Sequence, residues 1–326
     1  MEFILRSLIK IAGIFGFLMP VAIRLSKEYL QNKYKAAFLE KDPSIRENQL
    51  RHLASLRQTF HPPAEQWLVN IRVEDIPMKA NLCQQYCGDI YYGVGFEQGE
   101  LSIVNRFVQN GDVFLDVGAN IGIYTLLASR LVGGNGRVHS FEPQSDVYDL
   151  LRSNINLNQC LNVITNPVAV GDQNGETQIF INAQNALSSL GRTNRGVVLR
   201  SQKVPLVTLD EYAGSMEIPK ADFLKIDVEG FEGHVLRGAA GLLDASPNLV
   251  VMSELAKKNF APLGFSIEET LNWMRVQGFE VWMIGEQDLK LYPTRTGMGD
   301  YPYQNFLFIR PGNSRYPLVR EYSAAL

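Results

Sequence analysis

From residue 113 onward, short apolar runs alternate with longer amphipathic stretches. Residues 113–117 form an apolar run that ends in a glycine loop, and 123–131 follow with the apolar spacing of a helix. The pattern then repeats, with strands expected at 137–141, 162–170, 221–227 and 249–254. Helices are expected between them at 146–157, around 231–241 and at 266–276. Strands at 280–284 and 305–309 close the series. Strand–helix alternation of this kind builds βαβ units, and hence a doubly wound α/β fold with a mostly parallel sheet. The last two strands share a turn-rich link, which suits an antiparallel edge.

The flanking regions read differently. Residues 1 to about 80 are expected to be helical and irregular, with Leu50, Leu53 and Leu56 at helical spacing and a break at His61-Pro62-Pro63. Residues 89–97, DIYYGVGFE, read as a short strand pair with glycine turns. The segment 171–206 interrupts the strand–helix rhythm. It holds a strand near 178–181 and a stretch at 182–200 rich in Asn, Ser, Gly and Arg. An insertion this long in a compact domain is usually functional, and it would sit above the carboxyl edge of the sheet. The expected division is an N-terminal helical extension at 1–80, a main α/β domain at 81–312 and a tail at 313–326.

Composition narrows the class. Hydrophobic residues make up 46% and charged residues 20% of 326, as in ordinary globular proteins. The net charge of -3 gives no electrostatic reason to expect nucleic acid. Cys83, Cys87 and Cys160 do not form a disulfide framework. Cys83 and Cys87 lack further zinc ligands nearby, so no metal is expected, and a cytoplasmic location fits the sparse thiols. Residues 11–23 carry no charge but fall short of the ~20 residues of a spanning helix. No small-x-small cleavage site follows Pro20. An interfacial or core-packed helix is expected, and peripheral membrane contact through residues 1–25 stays open. Nothing in the sequence sets the oligomeric state.

The chemistry concentrates at Asp116-Val117-Gly118-Ala119-Asn120-Ile121-Gly122, where an apolar strand turns into a helix. Gly118 and Gly122 let the backbone approach a ligand closely. The next strand ends in Phe141-Glu142-Pro143, and a carboxylate there can accept hydrogen bonds from ribose hydroxyls. The dinucleotide fingerprint G-x-G-x-x-G fails, because Asn120 and Ile123 occupy its second and third glycine positions. An acid before the loop repels a pyrophosphate but suits an amino group. Asp116 and Glu142 together therefore point to S-adenosyl-L-methionine, which has an amino group, a sulfonium and a ribose but no phosphate.

The runs VFLDVGANIGIYT (113–125), FEP (141–143), NPVAVGDQNGE (166–176), VTLDEY (207–212) and DFLKIDVEGFEGHVLRGA (222–239) resemble the FkbM family of methyltransferases. The resemblance spans about residues 89–310. It implies a class I methyltransferase fold: a Rossmann-like, doubly wound, mostly parallel seven-stranded sheet with an antiparallel edge strand. It also implies S-adenosyl-L-methionine as cofactor and O-methylation of a hydroxyl on a sugar, polyketide or related metabolite. Val170, at the end of the third strand, falls where such enzymes place the adenine.

A second constellation is Lys225-Ile226-Asp227-Val228-Glu229-Gly230. If the strand stays extended, residues 225, 227 and 229 share one face. Asp227 would then lie beside the sulfonium. Glu229 is the first candidate for the base that takes the acceptor proton, and His234 the second. The alternative is a structural ion pair, with the acids serving the helix start. The expected cofactor set is Asp116, Gly118, Asn120, Gly122, Glu142, Val170 and Asp227. The expected partner is a small hydroxylated acceptor, a glycan or metabolite. Methylation of nitrogen, lipid or protein, or a non-catalytic cofactor-binding module, are the other readings.

Overall fold

The computed structural model describes residues 68–81, 85–93, 96–182, 198–256, 266–285, 289–291 and 303–323, with isolated positions between 4 and 36. The apolar run at 11–23 (save Val21 and Ala22), Leu50, Leu53, Leu56, His61-Pro62-Pro63, Cys83 and most of 182–200 lie outside the described residues. No helix among the described residues is long and apolar enough to cross a membrane. The chain divides into two compact units, Met1–Phe96 and Glu97–Leu326.

In the first unit, β1 (Leu68–Val73) and β2 (Ile76–Asn81) form an antiparallel hairpin. This corrects the helical reading of residues up to 80. Ile71, Val73, Ile76, Met78 and Ala80 are buried at the two-residue period of a strand. The turn uses Glu74 and Asp75, both at positive φ, in place of the glycines that usually announce it. Residues 89–97 are also corrected. Its first four residues belong to helix α1 (Gln85–Tyr92), which buries Cys87 and ends at Gly93 with φ 77°.

The second unit is built on an eight-stranded sheet. Its strands are β3 (Val113–Val117), β4 (Arg137–Phe141), β5 (Val163–Asn166), β9 (Phe223–Ile226), β10 (Val250–Ala256), β11 (Glu280–Ile284), β12 (Leu289–Leu291) and β13 (Tyr303–Ile309). Their order is β12-β11-β13-β10-β9-β3-β4-β5. Strands β10, β9, β3, β4 and β5 pair in parallel, while β13 runs antiparallel between β10 and β11. The mostly parallel, doubly wound sheet is as expected. The antiparallel β13 lies inside the sheet, and the short β12 adds an eighth, antiparallel strand at the edge.

Helices flank the sheet: α2 (Gln98–Phe107), α3 (Ile123–Val132), α4 (Ser145–Leu157), α5 (Leu209–Ser215), α6 (Glu232–Arg237), α7 (Ala240–Ala245), α8 (Ile267–Val276) and α9 (Tyr316–Ser323). The single helix expected at 231–241 is split into α6 and α7. Gly238 lies so close to the backbone that a Cβ would sit 1.9 Å from the Gly171 carbonyl oxygen. The third expected strand also splits. Past Pro167 the chain leaves β5 for β6 (Ala169–Val170), which joins β7 (Gly175–Asn182) and β8 (Val198–Val207) in a separate sheet, β6-β8-β7. The insertion is thus a β-hairpin at its base.

The core packs Leu115, Val117, Leu224, Ile226, Val251 and Phe306 against the helices. Phe114 and Phe223 stack across β3 and β9 with centroids 5.0 Å apart. Residues 313–323 belong to this unit, with Arg315 buried on Asp112 at 2.5 Å.

Candidate active site at the carboxyl edge of the sheet

Strand register assembles the site. Asp116 of β3 sits opposite Lys225 of β9 and Ser140 of β4, and Lys225 sits opposite Met252 of β10. Glu254 of β10 sits opposite Asn305 of β13. A charged residue in each of two otherwise buried apolar strands is costly unless partnered.

Asp116 is fully buried. Its Oδ2 accepts from the Thr125 hydroxyl at 2.5 Å, and that hydroxyl also meets Ser140 Oγ at 2.8 Å. Asp116 Oδ1 has no hydrogen-bond partner among the described residues. Burial pushes its carboxyl above the usual range against the pull of the Lys225 ammonium and Thr125. Lys225 is buried too, and its ammonium donates to Asp227 Oδ2 at 3.2 Å and the Gly118 carbonyl at 3.5 Å. It also lies 4.9 Å from the centre of the Tyr124 ring. Burial disfavours that ammonium, but Asp227, Asp116 and Glu97 outweigh burial and hold its pKa above the ordinary lysine value.

The glycine loop is stitched shut. Gly118 and Ala119 both donate N–H to the Phe141 carbonyl at 3.0 Å, Asn120 donates to Glu142 Oε2 at 3.0 Å, and Gly122 donates to the Ala119 carbonyl at 2.9 Å. Gly118 has φ 82°, and a Cβ there would sit 1.9 Å from the Asp227 carbonyl oxygen. Only glycine allows both. With these four N–H groups committed, the loop is a poor cradle for a pyrophosphate, which needs free backbone donors. Glu142 is buried and accepts a second N–H, from Gln144, at 2.9 Å on Oε1. Burial pushes its carboxyl up to about 7 against those two bonds. A buried acid set with an unsatisfied carboxylate oxygen suits a cationic, phosphate-free ligand.

Beyond the end of β9 lies a small open cleft, lined by Glu97, Glu100, Tyr124, Asp227, Glu254 and Asn305 with Lys225 among them. Tyr124 OH donates to Glu97 Oε2 at 2.5 Å, and Asn305 Nδ2 donates to Glu100 Oε1 at 2.5 Å.

The sequence model of the methyltransferase FkbM domain matches residues 116–281, from the buried acid of β3 to the start of β11. The chain belongs to the FkbM methyltransferase family. Its strand order is that of a class I, Rossmann-like methyltransferase fold. A curated relative is the hexuronic acid methyltransferase AglP of Haloferax volcanii, 29% identical over 161 residues. That match covers 48% of this chain and 61% of the relative's length. Among solved structures, M. jannaschii TYW2 in complex with AdoMet matches at 15% identity and TM-score 0.41, covering 76% of this chain and 88% of its own. The precorrin-6y C5,15-methyltransferase of Geobacter metallireducens GS-15 matches at 13% and 0.37, covering 65% and 88%. At scores this low the strand order itself, not these likenesses, defines the FkbM chain's fold.

Asp116, Gly118, Asn120, Gly122 and Glu142 converge as one strand–loop–helix unit, with Asp227 against Gly118. Val170 is buried at the end of β6. The two candidate bases fare differently. Strand β9 ends at Ile226, and Glu229 takes a positive φ of 55° in the loop, so residues 225, 227 and 229 do not share an extended face. Glu229 is not among the cleft-lining residues. His234 Nδ1 lies 2.8 Å from Asp172 Oδ2, and its ring stacks on Phe231 at 3.9 Å. It too is absent from the lining.

The residues that sequence reading passed over are Glu97, Glu100 and Asn305. Glu97 and Glu100 lie at the start of α2, outside any motif, and nothing local ties them to a β9 loop over a hundred positions away. The bond from Tyr124 to Glu97 is visible only in the fold. Glu254, at the end of the strand expected at 249–254, lines the cleft.

Proposed function

We propose that this methyltransferase transfers a methyl group to a hydroxyl of a sugar or related small metabolite by direct displacement, with the activity carried by the unit 97–326. The observation that supports it best is the open cleft beside Asp227 and Glu254, which adjoins the Asp116–Gly122 loop. The name of the Haloferax volcanii relative supports a sugar acceptor. In this reading Asp116, Gly118, Asn120, Gly122, Glu142, Val170 and Asp227 hold S-adenosylmethionine. Glu142 takes the ribose hydroxyls, and Asp116 and Asp227 face the amino and sulfonium groups. The cofactor supplies an activated methyl group. The protein's residues align it with the acceptor oxygen, which is the larger part of the rate gain in such displacements.

A second reading is methylation of nitrogen, because several of the residues lining the cleft are carboxylates, which suit a cationic amine. A non-catalytic cofactor-binding module would keep the loop and Glu142 but have no use for an open cleft. Calorimetry with S-adenosylmethionine, S-adenosylhomocysteine and NAD should show binding of the first two alone. Tritiated methyl transfer should then label hexoses or hexuronic acids rather than amino sugars acetylated at every hydroxyl. Binding without transfer to any probe would favour the module.

A further inference from the structure

Each of the four carboxylates lining the cleft has a different neighbourhood. Asp227 is tied to the Lys225 ammonium at 3.2 Å. Glu100 accepts from Asn305 at 2.5 Å. Glu254 faces acids: after burial, Asp227, Glu229, Glu97 and Glu232 all push its carboxyl up, to about 9, so it holds its proton at neutral pH. Glu97 is held through one oxygen by a neutral hydroxyl donor, and the Lys225 ammonium favours its charged form. Tyr124 OH fixes Oε2 at 2.5 Å, while Oε1 has no hydrogen-bond partner among the described residues.

We propose that Glu97 is the general base that removes the acceptor's proton, and that Tyr124 positions it. This rests on the methyl-transfer reading above. As the acceptor oxygen forms its bond to the methyl carbon, the carbon–sulfur bond breaks and its electron pair stays on sulfur. The hydroxyl proton passes to Glu97 Oε1, and from there to solvent. Every atom and charge is accounted for: a neutral thioether, a neutral methyl ether and one released proton. A carboxylate anchored through one oxygen keeps the other aimed, which is what proton transfer at hydrogen-bond distance requires. Burial, then Asp227, raise the Glu97 carboxyl to about 7, while Lys225 and the Tyr124 bond pull it down. A base poised near the working pH is the effective kind.

Groups facing Glu97 come from several elements: Glu100 from the helix that Glu97 precedes, Tyr124 from α3, Lys225 from β9, Asp227 from the loop after it, and Glu254 from β10. The test therefore follows Glu97 itself. Difference infrared titration of wild type against Glu97→Gln should reveal one carboxyl titrating near pH 7; titration at the ordinary glutamate value overturns the proposal. In parallel, the full chain is assayed with tritiated S-adenosylmethionine and glucose, galactose, glucuronic acid and galacturonic acid. Glu97→Gln should lose ~10²–10⁴ in turnover while calorimetry shows cofactor affinity within about threefold of wild type, and Glu97→Asp should recover part of the rate. Tyr124→Phe should shift the acidic limb of the pH–rate profile upward, because the lost bond favoured the carboxylate; a merely structural tyrosine would leave the limb in place. Full turnover in Glu97→Gln, or its loss in Glu229→Gln or His234→Ala instead, overturns the assignment. If wild type methylates none of the four sugars, the sugar reading fails, and the assignment of Glu97 as base falls with it.

Discussion

Glu142 retains acceptor capacity after meeting its own backbone. A carboxylate offers about four acceptor positions, and two are used by Asn120 and Gln144. Two remain for a pair of ribose hydroxyls. Burial sets its carboxyl near about 7, whereas hydroxyl donors favour the anion, so binding should draw a proton off Glu142. The sign follows: cofactor affinity should fall as pH drops below about 7. Glu142→Gln keeps the volume but removes the charge and presents an amide to the N–H groups it faces. It should weaken S-adenosylmethionine binding ~10–100-fold, about 1.4–2.8 kcal/mol, and flatten the pH dependence. Calorimetry over a pH series reads both. Unchanged affinity in a folded variant would mean that the ribose lies elsewhere. Gly118 shows the same economy at the residue scale: positive φ and a 1.9 Å approach to the Asp227 carbonyl leave no room for alanine.

At the scale of elements, the loop after β9 is held by one side chain. Glu232 is buried, and its Oε1 accepts from Val228 N at 3.1 Å and Gly230 N at 3.0 Å. These bonds hold the bend in which Glu229 takes positive φ. Glu232→Ala would strand both N–H groups, and denaturant titration should show a loss of about 1–3 kcal/mol. Wild-type stability would mean that the loop has other acceptors to hand. Elements whose signals are local were legible in the sequence: the runs of β3, β4 and β11, the helix at 266–276, and the acid–glycine loop flanked by strand and helix. Others were not. The β1–β2 turn lacks glycine, and α1 is short and carries Gly88. The site divides along the same line. Its loop half is one continuous strand–loop–helix plus the next strand end. Its cleft half joins Tyr124 to Glu97 across 27 positions and Asn305 to Glu100 across 205, and no spacing rule reaches that far.

Across the whole molecule, the site concentrates acids whose protons are held too tightly for an exposed chain. Glu97 and Glu142 sit near about 7, Glu232 near about 8 and Glu254 near about 9, all raised mainly by burial from an ordinary 4.5. Between 4.5 and these values the folded chain binds more protons than the unfolded one, so stability must fall as pH rises. His139 opposes this at the lower end. Buried against Tyr212 at 2.8 Å, it is pushed down to about 4 from 6.5, so it favours the fold as pH rises between those values. Above 6.5 the four acids act without it. Calorimetric scans of the ligand-free chain should therefore show a lower Tm at pH 8.5 than at pH about 6, with a shallower slope below that. Glu254→Gln removes the group most crowded by like charge, so it should raise Tm at pH 8.5, change it little at pH about 5, and reduce the difference between the two. Saturating S-adenosylmethionine should flatten the wild-type profile as well, because a sulfonium and an ammonium beside these carboxylates favour their charged forms. A Tm that rises steadily from pH 6 to 8.5 without ligand would show that these acids are ionised in the fold at no cost, and would remove the electrostatic case for a cationic cofactor at this edge of the sheet.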